Sequence, residues 1–399
     1  MEKLLQNNQL VCYNFNRYRS TQIPIILLYR QKRGKNMYIK DLKLVNFRNY
    51  ETLKMKFHPS LNIYIGNNGV GKTNLVEAIY VLALTRSFRQ SNDKHLITKD
   101  KQLSKIEGNI INTYENNYQI LISGEGKKVK IDQNKVTKIS NYISRINIIL
   151  FHPSDLRIIK DTPNLRRKSL NIDISQLKIS YLKNLNHYNK LLKQRNVYLK
   201  QKNTKDNVFL NVLTEKLVDY GLEIFEERKQ FISMLNQYVP KIYQNIAVKG
   251  KLQIHYTSDY LNKSKEQLLA EYNKGLERDL FNGKTKLGIH ADDFSFVLDD
   301  NDLKNFGSEG QQKNAIISLK FAELEIFKSE KGYYPILILD DIFSELDKEK
   351  ITHILAMLKP EIQTFITSAN MEHLNFEVLK HYQLVKIDES HNLEVKLYE

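Results

Sequence analysis

From Met37, MYIKDLKLVNFRNYETLKMKF sets apolar against polar positions in two short runs, the pattern of an antiparallel hairpin. LNIYI, residues 61–65, reads as a further strand, and LVEAIYVLAL, residues 75–84, as a helix. Downstream the period changes. Tyr181, Leu182, Leu185, Tyr188 and Leu192 recur at spacings of three and four. Leu213, Leu217, Ile224, Phe231 and Leu235 do the same, and Pro240 is expected to stop that helix. These stripes sit among many Lys, Asn and Gln residues, which fits core packing of a small helical subdomain. No heptad repeat is sustained, so a long coiled-coil arm is excluded. YPILILDD, residues 334–341, is a buried-type apolar strand ending in two carboxylates. The pattern predicts an α/β chain with a helical insert: α/β over 37–157, helical over 158–285, and α/β again over 286–399.

Composition changes this picture in three ways. A chain of 399 residues that is 41% hydrophobic and 27% charged predicts a folded core in two or three domains. No apolar run is long enough to span a bilayer, and IPIILLY is too short for a secretory leader, so a soluble, cytoplasmic chain is expected. The single cysteine, Cys12, excludes an internal disulfide framework and a Cys-based zinc site. The net charge of +16 favours a polyanionic partner, nucleic acid or an anionic membrane surface, although a generally basic proteome gives the same excess. Residues 1–36 hold seven Lys and Arg against one Glu, so this piece carries +6 and leaves +10 for the remainder. The segment reads as a basic extension, disordered or a mis-called start with Met37 the true one; a nucleic-acid arm and a transit peptide are the competing readings.

The chemistry begins between the strand at 61–65 and the helix after it. Gly66, Asn67, Asn68, Gly69, Val70, Gly71, Lys72, Thr73 and Asn74 satisfy G-x-x-x-x-G-K-[ST]. Glycines let the backbone turn its N–H groups inward, where they and the helix N-terminus bind phosphates. Lys72 is expected at the β- and γ-phosphates of ATP, and the Thr73 hydroxyl on Mg²⁺. Asp340, at the end of the apolar strand, is expected to complete the Mg²⁺ shell. Asp341 is placed to polarise the attacking water as general base, with a loop cap as the competing reading. Ser308, Gly310 and Gln311 fall just before an amphipathic helix, a second phosphate-binding terminus that can complete the ATP site of another copy. His290, Asp292 and Asp293 lack companion ligands at helical or hairpin spacing, and a structural role is preferred to a metal site.

Ile342-Phe343-Ser344-Glu345-Leu346-Asp347 resembles the D-loop of ABC-type ATPases, which implies two ATPs sandwiched between two heads. The whole run from Met37 onward resembles the RecF family of bacterial DNA-gap repair ATPases, in the SMC/Rad50-like group. The resemblance rests on IKDLKLVNFRNYETLKMKF, on FHPSDLRIIKDTPNLRRKSLN (151–171), on YNKLLKQRN (188–196), on GIHADDFSF (288–296) and on DDIFSELD (340–347). It implies an ABC-type ATPase head, a mixed sheet with a P-loop core plus antiparallel N-terminal strands, carrying the inserted α-helical subdomain. It implies an ATP-dependent homodimer that binds double-stranded and gapped DNA, hydrolyses ATP slowly, and works with RecR and RecO to load recombinase, with no membrane partner. The chain departs from the family pattern at Phe88, Asn171, Ile289, Ala291 and Asn370, which bears on the fine ATP contacts and the hydrolysis rate. Candidate DNA contacts are Arg48, Arg86, Arg89, Arg166, Arg167 and Arg195, each with a surface or helix-packing role as the competing reading. Arg86 and Arg89, close behind the P-loop, have nucleotide support as a further alternative. Three rival functions remain. The Asp-Asp pair and the helical insert argue against a transporter ATPase subunit, and the short stretch after Asp347 leaves no room for a nuclease domain. A DNA clip without turnover separates from an ATPase only by assay.

Overall fold

The computed structural model describes residues 12–13, 36–201, 207–247, 249–370, 379 and 381–398. The expectation for the basic extension therefore lies outside the described residues, save for 12–13 and 36. Strands β1 to β9 are Cys12–Tyr13, Tyr38–Phe47, Tyr50–Lys56, Leu61–Ile65, Leu103–Ile111, Glu115–Ser123, Gly126–Ile131, Asn134–Lys135 and Ile148–Phe151. Strands β10 to β12 are Leu252–Thr257, Asp293–Leu298 and Asn301–Asp302, and β13 to β16 are Ile336–Asp340, Thr364–Ser368, Tyr382–Ile387 and Leu393–Tyr398. The chain forms two compact units, one of Met1–Pro153 with Phe327–Glu399 and one of Ser154–Ile326.

The first unit holds two sheets. One runs β1-β16-β15-β4-β14-β13-β9, with β15, β4, β14, β13 and β9 mutually parallel and β16 antiparallel to its neighbours. Its central strands β4, β13 and β14 are buried at every position, as parallel strands covered on both faces must be. The other is the antiparallel array β3-β2-β5-β6-β7-β8, in which the expected hairpin appears as β2 and β3. In β5 buried positions alternate with partly exposed ones, so one face is packed. The helix Lys72–Leu84 contacts β9, β13 and β14 of the first sheet and β2, β5 and β6 of the second. It is therefore covered on all sides: every residue but Thr73 and Asn74 is buried. Gln363 ties the sheets together, accepting from Ile39 N at 2.7 Å and donating to Ile39 O at 2.8 Å.

The second unit packs the helices Pro163–Leu177, Ile179–Leu199 and Asn207–Ala247 with the small sheet β10-β11-β12. The stripe from Tyr181 to Leu192 lies on the Ile179–Leu199 helix as expected. The stop at Pro240 does not occur: the Asn207–Ala247 helix continues through it. Proline removes one hydrogen bond to Asn236, four residues earlier. Packing outweighs that loss, because Val239 just before the proline and Tyr243 and Ile246 beyond it are buried. Asn236 is itself held, its side chain donating to Ile254 O and accepting from Ile254 N, both at 2.8 Å. Strand β10 thus lies inside the stretch expected to be helical, and the compact unit reaches on to Ile326.

Candidate nucleotide site

The loop after β4 is shaped by contacts that only glycine permits. Gly71 has φ +103°, and a Cβ there would lie 2.6 Å from Asn49 Nδ2 and 2.8 Å from the Tyr50 hydroxyl. A Cβ on Gly66 would run into the carbonyl of Ile387 at the end of β15. The Tyr50 hydroxyl donates to Gly71 O at 3.2 Å, and His391 Nδ1 lies 3.0 Å from Val70 O. Asn67, Asn68 and Gly69 form the exposed tip, while Val70 is buried beneath it. Lys72 is buried and folds over the loop, donating to Gly66 O at 2.6 Å and Asn67 O at 2.8 Å. Burial pushes its ammonium pKa down, and the charges of Asp341 and Asp340 oppose that. A lysine bound only to neutral carbonyls is suited to exchange them for anionic phosphate oxygens.

The register of β13 between β14 and β9 sets Asp340 opposite Thr367. Asp340 Oδ1 accepts from the Thr73 hydroxyl at 3.1 Å and from the Thr367 hydroxyl at 2.6 Å. The same Thr367 oxygen accepts from Asp341 N at 3.0 Å. Asp341 turns the chain off the strand in the left-handed region, at φ +53°, and its carbonyl accepts from Ser344 Oγ at 2.8 Å. A non-glycine residue held there costs order 1–3 kcal/mol, which the two bonds from Thr367 and Ser344 offset. Asp340 is fully buried, and its Oδ2 has no hydrogen-bond donor among the described residues. A buried carboxylate oxygen left in that state is costly unless a cation takes it. The oxygen set of Thr73 and Asp340 therefore fits Mg²⁺.

Ser308 caps the helix Glu309–Lys331: Gln311 N donates to Ser308 Oγ at 3.2 Å, and Ser308 N donates to Gln311 Oε1 at 2.8 Å. Gly310 and Gln311 thus sit in the first turn of the helix rather than before it. Ser308 Oγ accepts from the backbone and can still donate its own proton.

Three of the candidate DNA contacts are corrected. Arg195 is 1% exposed and donates to Thr214, Asp279 and Thr285. Arg166 is buried, with a bidentate grip on Asp293 and donations to the carbonyls of Ile158 and Asp161. Arg48 is committed to Glu77 at 2.7 and 2.8 Å, and Glu77 is fully buried. All three are taken up by internal carboxylates, Glu77 and Asp279 buried and Asp293 partly exposed, which leaves them poorly placed to serve a DNA phosphate. Arg89 donates to Asn74 Oδ1 at 3.0 Å and flanks Glu77 at 3.8 Å, behind the P-loop helix. Arg86 is exposed, and Arg167, half-buried, donates to the Asp292 carbonyl at 2.6 Å.

The residues at the departures have internal partners. Asn171 Oδ1 accepts from the Tyr181 hydroxyl and from Arg228 Nη2, and Ile289 O accepts from Arg228 Nη1. Phe88 packs edge-on to Tyr80 and tilted against His152. Asn370 closes a turn with Ser368, and Ala291 N donates to Gly288 O. Asp292 pairs with Arg228, and His290 Nδ1 lies 2.7 Å from the Tyr188 hydroxyl. Sequence reasoning missed Glu77, Thr367 and His152. The partner of Thr367 is visible only once the β13–β14 register is known.

The family model described as RecF/RecN/SMC N terminal domain matches residues 38–392. The DNA replication and repair protein RecF of Streptococcus agalactiae serotype Ia is 44% identical over 345 residues, 85% of this chain and 93% of that protein. The RecF of Ligilactobacillus salivarius is 38% identical over 364 residues, 88% of this chain and 96% of that protein. A solved structure of the recombination mediator protein RecF with ATP, in the RecFOR pathway, has a TM-score of 0.83 at 30% identity, covering 93% of this chain and all of that one. An Smc head from Pyrococcus furiosus, at 14% identity and a TM-score of 0.55, shares the fold. These matches stand against the transporter and nuclease readings. The chain belongs to the RecF family, within the ABC/SMC-type ATPases.

Proposed function

We propose that this chain is an ATP-dependent DNA-binding protein of recombinational gap repair and replication-fork maintenance, acting with RecO and RecR. The observation that carries the reading is the convergence of Thr73 and Thr367 on the buried Asp340 beside a glycine-shaped loop with its lysine. Lys72 and the loop amides bind the β- and γ-phosphates of ATP. Thr73 and Asp340 hold Mg²⁺, which neutralises phosphate charge when bound. Asp341, fixed through Thr367, orients and deprotonates the attacking water. Ser308 and the first turn of its helix reach the ATP of a second copy, so nucleotide holds a homodimer together. That dimer binds double-stranded DNA near single-strand gaps, and slow, DNA-stimulated hydrolysis resets it. Arg86, Arg89 and Arg167 are the remaining candidates for phosphate contacts. The chain works in the bacterial cytoplasm; no helix among the described residues is long and apolar enough to cross a membrane. The test is ATP hydrolysis with and without gapped duplex, for wild type and Lys72→Met. Turnover that rises with DNA and disappears in the variant supports the reading. Turnover absent in wild type under both conditions leaves the non-hydrolysing clip.

A further inference from the structure

We propose that His152 is a further ligand of the divalent cation at this site, and that its imidazole biases the site toward first-row transition cations such as Mn²⁺ over Mg²⁺. The inference rests on the reading of the site as an ATP–metal site and concerns which cation that site prefers. β9 pairs in parallel with β13, with Phe151 opposite Leu339. The next residues are His152, just past the end of β9, and Asp340, the last of β13, so backbone register brings the imidazole near the carboxylate. His152 Nε2 lies 3.8 Å from Asp340 Oδ2, the buried oxygen with no hydrogen-bond donor among the described residues. That separation is too long for a hydrogen bond. It suits one shared cation, since metal–ligand bonds of about 2.1 Å on each side span up to roughly 4.2 Å. The Phe88 ring, 5.5 Å from the imidazole and tilted 53° to it, packs against one side of the ring. The His152 side chain keeps 27% exposure, enough to leave an approach for a cation.

The chemistry follows from donor type. Oxygen donors such as Asp340 and Thr73 suit Mg²⁺ and Mn²⁺ alike, whereas imidazole nitrogen favours transition cations and is a poor ligand for Mg²⁺. A mixed set of carboxylate, hydroxyl and imidazole therefore raises the affinity for Mn²⁺ relative to Mg²⁺.

The experiment is electron paramagnetic resonance of Mn²⁺ bound to the full chain with a non-hydrolysable ATP analogue, titrated against Mg²⁺. Wild type is compared with His152→Ala and His152→Gln. Wild type is expected to show ¹⁴N modulation from a directly bound imidazole, and both variants to lose it. The preference for Mn²⁺ over Mg²⁺ should fall by roughly tenfold in the variants. Nucleotide-dependent Mn²⁺ binding with no ¹⁴N modulation, or with an unchanged ion preference in both variants, overturns the role of His152 and leaves the ATP site standing. No nucleotide-dependent Mn²⁺ binding in wild type overturns the ATP–metal reading and this inference with it.

Discussion

Thr367 shows how the reacting end of the site is held. Its hydroxyl donates to the Asp340 carboxylate and accepts from the Asp341 backbone N–H, so one side chain holds the first carboxylate and the main chain that carries the second. Thr367→Val keeps the volume and removes both bonds. It is expected to weaken Mg²⁺ affinity by about 10- to 100-fold, read by titrating Mg²⁺ against ATP turnover, while nucleotide affinity stays within a few-fold. An unchanged Mg²⁺ dependence would contradict this role. Asp341→Asn separates binding from chemistry. Turnover should drop by about 10²–10⁴-fold with ATP still bound, measured as hydrolysis rate against fluorescent-nucleotide affinity. At this scale the P-loop was legible because a phosphate cradle restricts residue type at fixed spacing: Gly66 and Gly71 have no room for a side chain. Thr367 and His152 were not, because their meaning lies in strand register with Asp340. The arginines misled for a related reason. Sequence shows a positive charge but not the carboxylate that consumes it, and Arg195 is fully engaged with Asp279.

Among the elements, the second unit is pinned by buried ion pairs. Arg195 and Asp279 are 1% and 3% exposed. Arg195→Ala strands a buried carboxylate and should cost about 3–5 kcal/mol, visible as a lower urea midpoint. Arg195→Lys should recover little of it, since one ammonium cannot reproduce bonds to Thr214, Asp279 and Thr285. The Glu309–Lys331 helix carries a buried lysine–carboxyl contact. Lys320 Nζ lies 3.2 and 3.0 Å from the two Glu323 oxygens. Burial, then the charge of Asp173, pushes Glu323 up to about 8, with Lys320 pulling the other way. For Lys320 burial lowers the pKa, and Glu323, Asp173 and Asp155 together raise it. A carboxyl raised in the fold binds its proton more tightly folded than unfolded. Its stabilising contribution is complete below the ordinary value of 4.5 and is lost as pH rises through about 8. Melting temperature should therefore fall between pH 5 and pH 8.5 in wild type, and fall less in Glu323→Gln; equal slopes would contradict the assignment. Helical periodicity was readable in both long helices. The passage through Pro240 was not, because its compensation comes from burial of Val239, Tyr243 and Ile246 and from the clamp on Ile254.

For the whole molecule, two features point to partners. The capped helix terminus at Ser308 is proposed to take an anion, and the net charge of +16 favours a polyanion. The proposed homodimer, closed by ATP over duplex DNA, would satisfy both. Phosphate contacts make such binding sequence-independent and salt-sensitive; a footprint of about six phosphates implies roughly a 10³-fold loss of affinity between about 50 and 200 mM salt. The fold class was legible here because strand, P-loop, helix and a distant acidic strand end follow in an order that few architectures use. The most direct test of the account is sedimentation velocity with ATP and Mg²⁺, for wild type and Asp341→Asn, with and without gapped duplex. The account predicts a monomer that dimerises only with ATP, persists longer as a dimer in Asp341→Asn, and sediments with the DNA. A chain that binds ATP yet stays monomeric under every condition would contradict it.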